Sequence, residues 1–398
     1  MNVLYVNHTA TVSGGERSLL LLLGALPGEV LPLVATPHGP LAAAVGALGV
    51  PVTPIVGTAG SLRLHPLHTP RAVAELSLAA LQLRRAAARH RAGVVHANSI
   101  RAGIVLALAR PAAARVVHVR DCLPPGALAS ATMRLIASTA TTVIANSHYT
   151  ARSVRAAAPG ARVEVIYNAV DLRRFDPARI DRAEARARVA AVAGEGVERR
   201  VLLGVVGQIT PWKGQDTAIE VLRLLVEEGV DAQLLLVGSA KFVASATRFD
   251  NHAFLGRMRE RVVEVGLVDR VTWLGEREDV PELMRAMDVL LAPSHEEPFG
   301  RTLVEAMALG VPVLATNVGG PTEIIEDGRE GHLLAPRDPA AWAAAVRQLA
   351  QEPERAAEMG RAGRIRAQSA FGVERHEAAV LGAYRRALGE AAPNGEPA

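Results

Sequence analysis

Short apolar runs alternate along the chain with longer stretches whose apolar residues recur every three or four positions. In the first half the runs are NVLYVN, LPLVATP, AGVVHANS, ARVVHVRD, TTVIANSH and RVEVIYNAVD, and between them stand helical stretches such as GERSLLLLLGAL, GPLAAAVGAL, IRAGIVLALA and YTARSVRAAA. The second half repeats the scheme with RVLLGVVG, AQLLLVGS, RVTWLGE, DVLLAPS and VPVLAT, separated by QDTAIEVLRLLVEEG, a helix near 253–265, VPELMRAM and TLVEAMALG. Apolar runs bounded by turn residues read as buried strands, and their alternation with helices predicts parallel sheets. The fold class expected is α/β, with two Rossmann-like domains. The first covers 1–175, a linker region with no readable strand 176–198, and the second 199–370. A C-terminal helix over 371–388 is expected to cross back to the first domain, and 389–398 reads as a disordered tail.

Composition agrees with this picture. At 398 residues the chain exceeds what one core usually serves. Hydrophobic residues make up 49% and charged residues 21%, the balance of an ordinary soluble enzyme. The opening MNVLYVNHTA has no basic head before an apolar stretch, and the longest apolar run, LLLLLGALPG, is too short to span a bilayer. Cys122, the one cysteine, cannot form an internal disulfide. A reducing, cytoplasmic setting is therefore expected.

Charge changes the picture more. The net charge of +4 conceals 15 Arg against five acids in residues 1–170, a net +10, and a net −6 in the remainder. Residues 61–120 hold ten Arg against Glu75 alone. A compositional preference for Arg would explain the cations but not the missing acids, which point to an anionic acceptor or to the anionic inner face of a membrane. No nucleic-acid partner is expected. Within this region RAVAELSLAALQLRRAAARHRAG draws as a helix with Leu76, Ala80, Leu83 and Ala87 on one face and Arg84, Arg85, Arg89 and Arg91 near its end. It reads either as core packing or as a peripheral contact with anionic lipid that would bring a lipid-linked acceptor to the protein.

The candidate chemistry lies where strands end. The chain holds two Lys, at 213 and 241, against 42 Arg, so a lysine kept against that bias marks PWKGQD. At the carboxyl end of a parallel strand Lys213 would be a mobile point charge for a diphosphate; Lys241 is the weaker candidate. Gly14 and Gly15 stand directly before a helix, where glycine lets the backbone approach closely and free amides attract phosphate, although a plain tight turn uses the same residues. In PSHEEPFGRTLVEAMALG, Glu297 and Glu305 stand eight apart around a Pro-Phe-Gly and a helix start. Glu305 lies one turn on from Arg301, so both carboxylates can face one crevice. Paired carboxylates serve acid/base work or recognition of sugar hydroxyls. Their separation around a helix start favours recognition, with amides near Gly300 to Leu303 holding anionic oxygens, while helix capping is the plain alternative. VGGPTEIIEDG repeats the turn-then-helix pattern at Gly319 and Gly320.

Quoted together, SGGERSLL, VVHVRD, VIYNAVD, GQITPWKGQD, VTWLGEREDVPELM, EEPFGRTLVEAMALG with its Glu-x7-Glu spacing, and GGPTEIIEDGREGHLL resemble the retaining glycosyltransferases of family four, over about residues 1–370. The resemblance implies the GT-B architecture, two Rossmann-like domains with parallel sheets facing an interdomain cleft. It also implies transfer of a hexose from a nucleoside diphosphate sugar to an acceptor with retained anomeric configuration. By position, Glu297 would hydrogen-bond hydroxyls of the donor sugar and Glu305 the ribose of the nucleotide. The backbone at Phe299, Gly300, Arg301 and Thr302 would contact sugar and diphosphate, and Lys213 would neutralise the leaving diphosphate. The Gly14–Gly15 loop would reach across from the other domain, and His118 would border the reacting sugar. Gln208 departs from the family pattern, standing where arginine is usual, so the diphosphate would lose one side-chain cation. No metal and no cofactor beyond the nucleotide sugar co-substrate are expected, because Lys213 and the helix dipole replace a cation. The competing readings are a GT-B nucleotide-sugar epimerase or phosphorylase, and a non-catalytic nucleotide-sugar or membrane-binding module, which Gln208 would suit.

Overall fold

The computed structural model describes residues 1–58, 69–123, 126–194, 196–241 and 250–390. The chain divides into two compact units, one formed by Met1–Ala169 with the segment from Val373 onward, the other by Val170–Gly372.

In the first unit β1 (Asn2–Val6), β2 (Leu31–Thr36), β3 (Val52–Pro54), β4 (Val94–Ala97), β5 (Ala114–Val119), β6 (Thr142–Ala145) and β7 (Val163–Val165) form a parallel sheet ordered β3-β2-β1-β4-β5-β6-β7. Val3, Leu4, Tyr5 and Val6 are all fully buried; a central strand covered on both faces has no polar side to alternate, which is why the runs read as continuous. On one face Leu4, Val95 and Val117 pack with Leu83 and Leu106, and on the other Val3, Tyr5 and Val116 pack with Leu19, Leu22 and Val380. The helix Thr69–His90 buries Ala80, Leu83 and Ala87, so the face that sequence left open between core and lipid is core. The helix Val373–Leu388 lies on the opposite face of the sheet, burying His376, Val380 and Tyr384.

In the second unit β8 (Val201–Val206), β9 (Ala232–Val237), β10 (Val271–Gly275), β11 (Val289–Ala292), β12 (Val313–Thr316) and β13 (Gly331–Leu334) form a parallel sheet ordered β10-β9-β8-β11-β12-β13. The segment 176–198 contains the helix Arg182–Ala193, which is tied to this unit by Arg186 Nη1 at 3.0 Å from Asp288 Oδ2. Each sheet reverses its strand order once, between β1 and β4 and between β8 and β11. Loops at the carboxyl ends of such strand pairs diverge and leave a crevice, which is where open α/β sheets take ligands. Among the described residues no helix is long and apolar enough to cross a membrane.

Candidate active site

The crevice of the second sheet is walled by the loops after β8 and β11. After β8 the chain passes Gln208 and makes one turn over Pro211–Lys213; after β11 it runs through Ser294 to Glu297. Gly214 lets the two loops meet. Its φ is +71° and a Cβ there would stand 2.0 Å from the Pro293 carbonyl oxygen, so a side chain has no room. The His295 N–H donates to Trp212 O at 2.8 Å. This packing sets Lys213 Nζ 2.5 Å from Glu297 Oε2, and the Ser294 hydroxyl donates to the same oxygen at 3.2 Å. The ammonium also lies 4.3 Å from the centroid of the Trp212 ring.

The Gly319–Gly320 loop supports Glu297 from behind. Gly320 N–H donates to Glu297 O at 2.8 Å. Gly319, at φ +91°, sits so close that a Cβ would be 2.1 Å from that oxygen. Beyond it Phe299 is buried, its ring edge-on to Phe371 with centroids 5.9 Å apart. Gly300 then begins the helix Arg301–Ala308, whose opening amides lack intrahelical acceptors and favour negative charge. One turn in, Arg301 Nη2 donates to Glu305 Oε1 at 2.8 Å. Glu297 and Glu305 are each only 9% exposed, so each carboxylate is held by a cation rather than by water.

Gln208 is placed differently from the expectation that it meets phosphate. Its Nε2 donates to the Lys241 carbonyl at 3.2 Å, and its own carbonyl accepts from Gln215 Nε2 at 2.8 Å. The side chain braces the loops after β8 and β9. Lys241 Nζ is paired with Glu276 at 2.5 Å.

In the first unit Gly14 and Gly15 open the helix Gly14–Ala25, and Glu16 accepts from the Ser13 N–H at 3.1 Å as half of a capping box. Arg120 lies against this loop; a Cβ added to Gly15 would come 3.4 Å from Arg120 Cδ. His118 is a correction to the expectation that it borders a reacting sugar. Period two along β5 turns Val116 and His118 toward the face covered by the helix Val373–Leu388, and the His118 ring has no exposed surface. It lies between His96 and His376, with centroid separations of 5.5 and 6.3 Å. Burial and then the neighbouring Arg120 charge hold its pKa well below the usual histidine value. Arg120 Nη2 lies 3.2 Å from His118 Nδ1; a guanidinium can only donate, so Nδ1 accepts and the neutral ring carries its proton on Nε2. Arg120 also donates to Asn98 Oδ1 at 3.1 Å and to Asn168 Oδ1. The sequence reading did not single out Arg120, Ser294 or Trp212; all three stand at or just beyond strand ends, which was their available signal.

Two doubly wound parallel sheets, each with its polar loops at a switch point, are the architecture of the GT-B class. The structure of Anabaena Alr3699/HepE in complex with UDP matches with a TM-score of 0.81 at 24% identity, covering 97% of this chain and 100% of that one. Family comparison is narrower: "Glycosyltransferase Family 4" matches residues 12–174 and "Glycosyl transferases group 1" residues 193–366. The chain belongs to the family 4 type of glycosyltransferases. The lipopolysaccharide core biosynthesis mannosyltransferase LpsB of Rhizobium meliloti is 31% identical over 222 residues, 55% of this chain and 60% of that protein. A D-inositol 3-phosphate glycosyltransferase of Streptomyces avermitilis is 33% identical over 231 residues, 57% of this chain and 47% of that protein. The chain thus spans 60% and 47% of the length of these two curated relatives.

Proposed function

We propose that this chain transfers a hexose from a nucleoside diphosphate sugar to an acceptor, with retention of anomeric configuration and without a metal ion. The observation that carries the reading is the convergence of Lys213, Glu297, the start of helix Arg301–Ala308 and Glu305 at the switch point of the second sheet. The HepE structure holds UDP at a comparable fold, which supports a nucleoside diphosphate donor. In this reading the second unit is the donor domain. Lys213 and the amides of Gly300, Arg301 and Thr302 receive the diphosphate, Glu297 the sugar hydroxyls and Glu305 the ribose. Donor binding exchanges the Lys213–Glu297 pair for two new ones, so the cation and the carboxylate become available together.

Glu297 is engaged by Lys213 and Ser294 rather than presented as a lone nucleophile, which favours a front-face path. The bond from the anomeric carbon to the diphosphate oxygen breaks, the acceptor oxygen bonds that carbon on the same face, and the acceptor proton passes to the departing phosphate oxygen. Lys213 and the helix-start amides stabilise the charge that develops there. The acceptor falls to the first unit, whose excess of Arg suits an anionic or lipid-linked molecule at the cytoplasmic face of a membrane.

A thermal-shift screen against UDP-, GDP- and ADP-sugars tests the donor, since a ligand at about a hundred times its Kd stabilises by roughly 2.7 kcal/mol. NMR of the product's anomeric proton, with and without EDTA, tests the rest. An inverted product or loss of transfer on chelation would sink the mechanism; isomerised donor in the absence of acceptor would favour an epimerase.

A further inference from the structure

The first sheet has its own switch point, between β1 and β4. His8 follows β1, Ser99 and Arg101 follow β4, and Asp121 follows β5. His8 Nδ1 lies 3.0 Å from Ser99 Oγ, which also accepts from the Ala102 N–H at 3.1 Å. Asn98 Nδ2 donates to Asn7 Oδ1 at 3.1 Å and to Gly15 O at 3.2 Å. Neutral hydrogen bonds therefore cross-link the walls of this crevice and fix its shape.

Arg101 stands apart from that network. Among the described residues its guanidinium makes no hydrogen bond and no ion pair, although the side chain is partly buried. Burial lowers its pKa even though Asp121 acts in the opposite sense. Burial and then the Arg101 charge lower the pKa of His8 to about 4, against a smaller opposing effect of Glu16. His8 is thus neutral at physiological pH, with Nε2 left to meet a hydroxyl. A cation drawn partly out of water without a bonded counter-ion is costly. A ligand that supplies the anion removes that cost.

We propose that Arg101 and His8 form an acceptor subsite in the first unit, and that the acceptor is a polyol carrying a phosphate. The guanidinium fork takes the phosphate oxygens, a geometry that arginine matches and lysine does not, while His8 takes a hydroxyl. This rests on the transferase reading above, because it names the acceptor of that reaction.

Ligand-observed NMR on the full chain tests the subsite with three probes: glycerol 3-phosphate, glycerol, and a short-chain phosphatidylglycerol kept monomeric. The wild type should bind a phosphate-bearing probe and not glycerol, and whichever phosphate probe binds distinguishes a soluble acceptor from a lipid-linked one. Arg101→Gln should weaken that binding about tenfold or more, and Arg101→Lys, which keeps the charge but loses the fork, should retain part of it. The lysine variant also serves if the glutamine variant does not fold. UDP affinity, measured by calorimetry on the same proteins, should not change. Equal phosphate binding in wild type and both variants, equal binding of glycerol, no phosphate binding at all, or a parallel fall in UDP affinity would each overturn the subsite. Absence of UDP binding to the wild type would instead count against the transferase reading, and the phosphate probes would still judge Arg101.

Discussion

Lys213 and Glu297 lie 84 positions apart in sequence, yet Nζ and Oε2 meet at 2.5 Å. In the unliganded chain the two groups assigned to opposite ends of the donor neutralise each other. Glu297→Gln keeps the shape and removes the charge, so it should release Lys213 for a diphosphate. UDP should then bind about fivefold more tightly, the equivalent of about 1 kcal/mol, while sugar transfer falls steeply. Calorimetry with UDP checks this, and weaker UDP binding in the variant would show that Lys213 does not turn toward phosphate.

Glu305 makes a different prediction because its partner, Arg301, is on the same helix at 2.8 Å. If Glu305 accepts from ribose hydroxyls, Glu305→Ala should weaken UDP by about 1.5 to 3 kcal/mol, the worth of a charged hydrogen bond. Pyrophosphate, which has no ribose, should bind as before. Equal losses for both ligands would place Glu305 in a merely structural role at the helix start.

Much of this arrangement was legible in the sequence, and the exceptions have physical causes. The central strands were readable because β1 and β8 are apolar along nearly their whole length, whereas β3, Val52–Pro54, is three residues long and β13, Gly331–Leu334, is four. Runs that short have no period to detect. The helix Arg182–Ala193 was hidden in an Ala- and Arg-rich segment, and what positions it is Asp288, more than a hundred residues away. The donor loops were legible because Gly, Lys and Glu interrupt apolar strands there. What sequence could not show was pairing: that Lys213 neutralises Glu297, or that Gln208 is spent on the Lys241 carbonyl. The burial of His118 was equally out of reach, because it depends on a helix that begins at Val373.

The helix Thr69–His90 keeps a second face that the core does not use. Val73, Leu78 and Leu81 are exposed at 56%, 46% and 44%, and Arg84, Arg85 and Arg89 stand on the same side. We expect this face to touch anionic lipid, each Arg contributing about 1 kcal/mol near the surface. The chain should co-sediment with phosphatidylglycerol vesicles at low salt, less at high salt, and hardly with phosphatidylcholine. A triple Arg→Gln variant at 84, 85 and 89 should lose the interaction without losing UDP binding. Equal partitioning to both lipids, or none to either, would make these side chains a solvated surface.

The buried histidines predict how stability responds to acid. His96 Nδ1 lies 2.6 Å from the Tyr384 hydroxyl and His376 Nδ1 lies 2.7 Å from Tyr167 O, and Arg120 is the charge that faces all three rings. Burial first, and then Arg120, lower the pKa of His96 to about 3 and of His376 to about 4. The folded values lie below the unfolded one of about 6.5, so between them the unfolded chain binds more protons than the folded one. The stability from these neutral rings is therefore fully present above pH ~6.5 and drains away as pH falls toward the folded values. Between pH 7.5 and pH 5 each ring should remove up to about 2 kcal/mol. Urea unfolding across that range measures the slope, and His376→Asn, which can still donate to Tyr167 O but cannot titrate, should make it shallower by about one proton. A variant whose slope matches the wild type would show that His376 is already protonated in the folded chain.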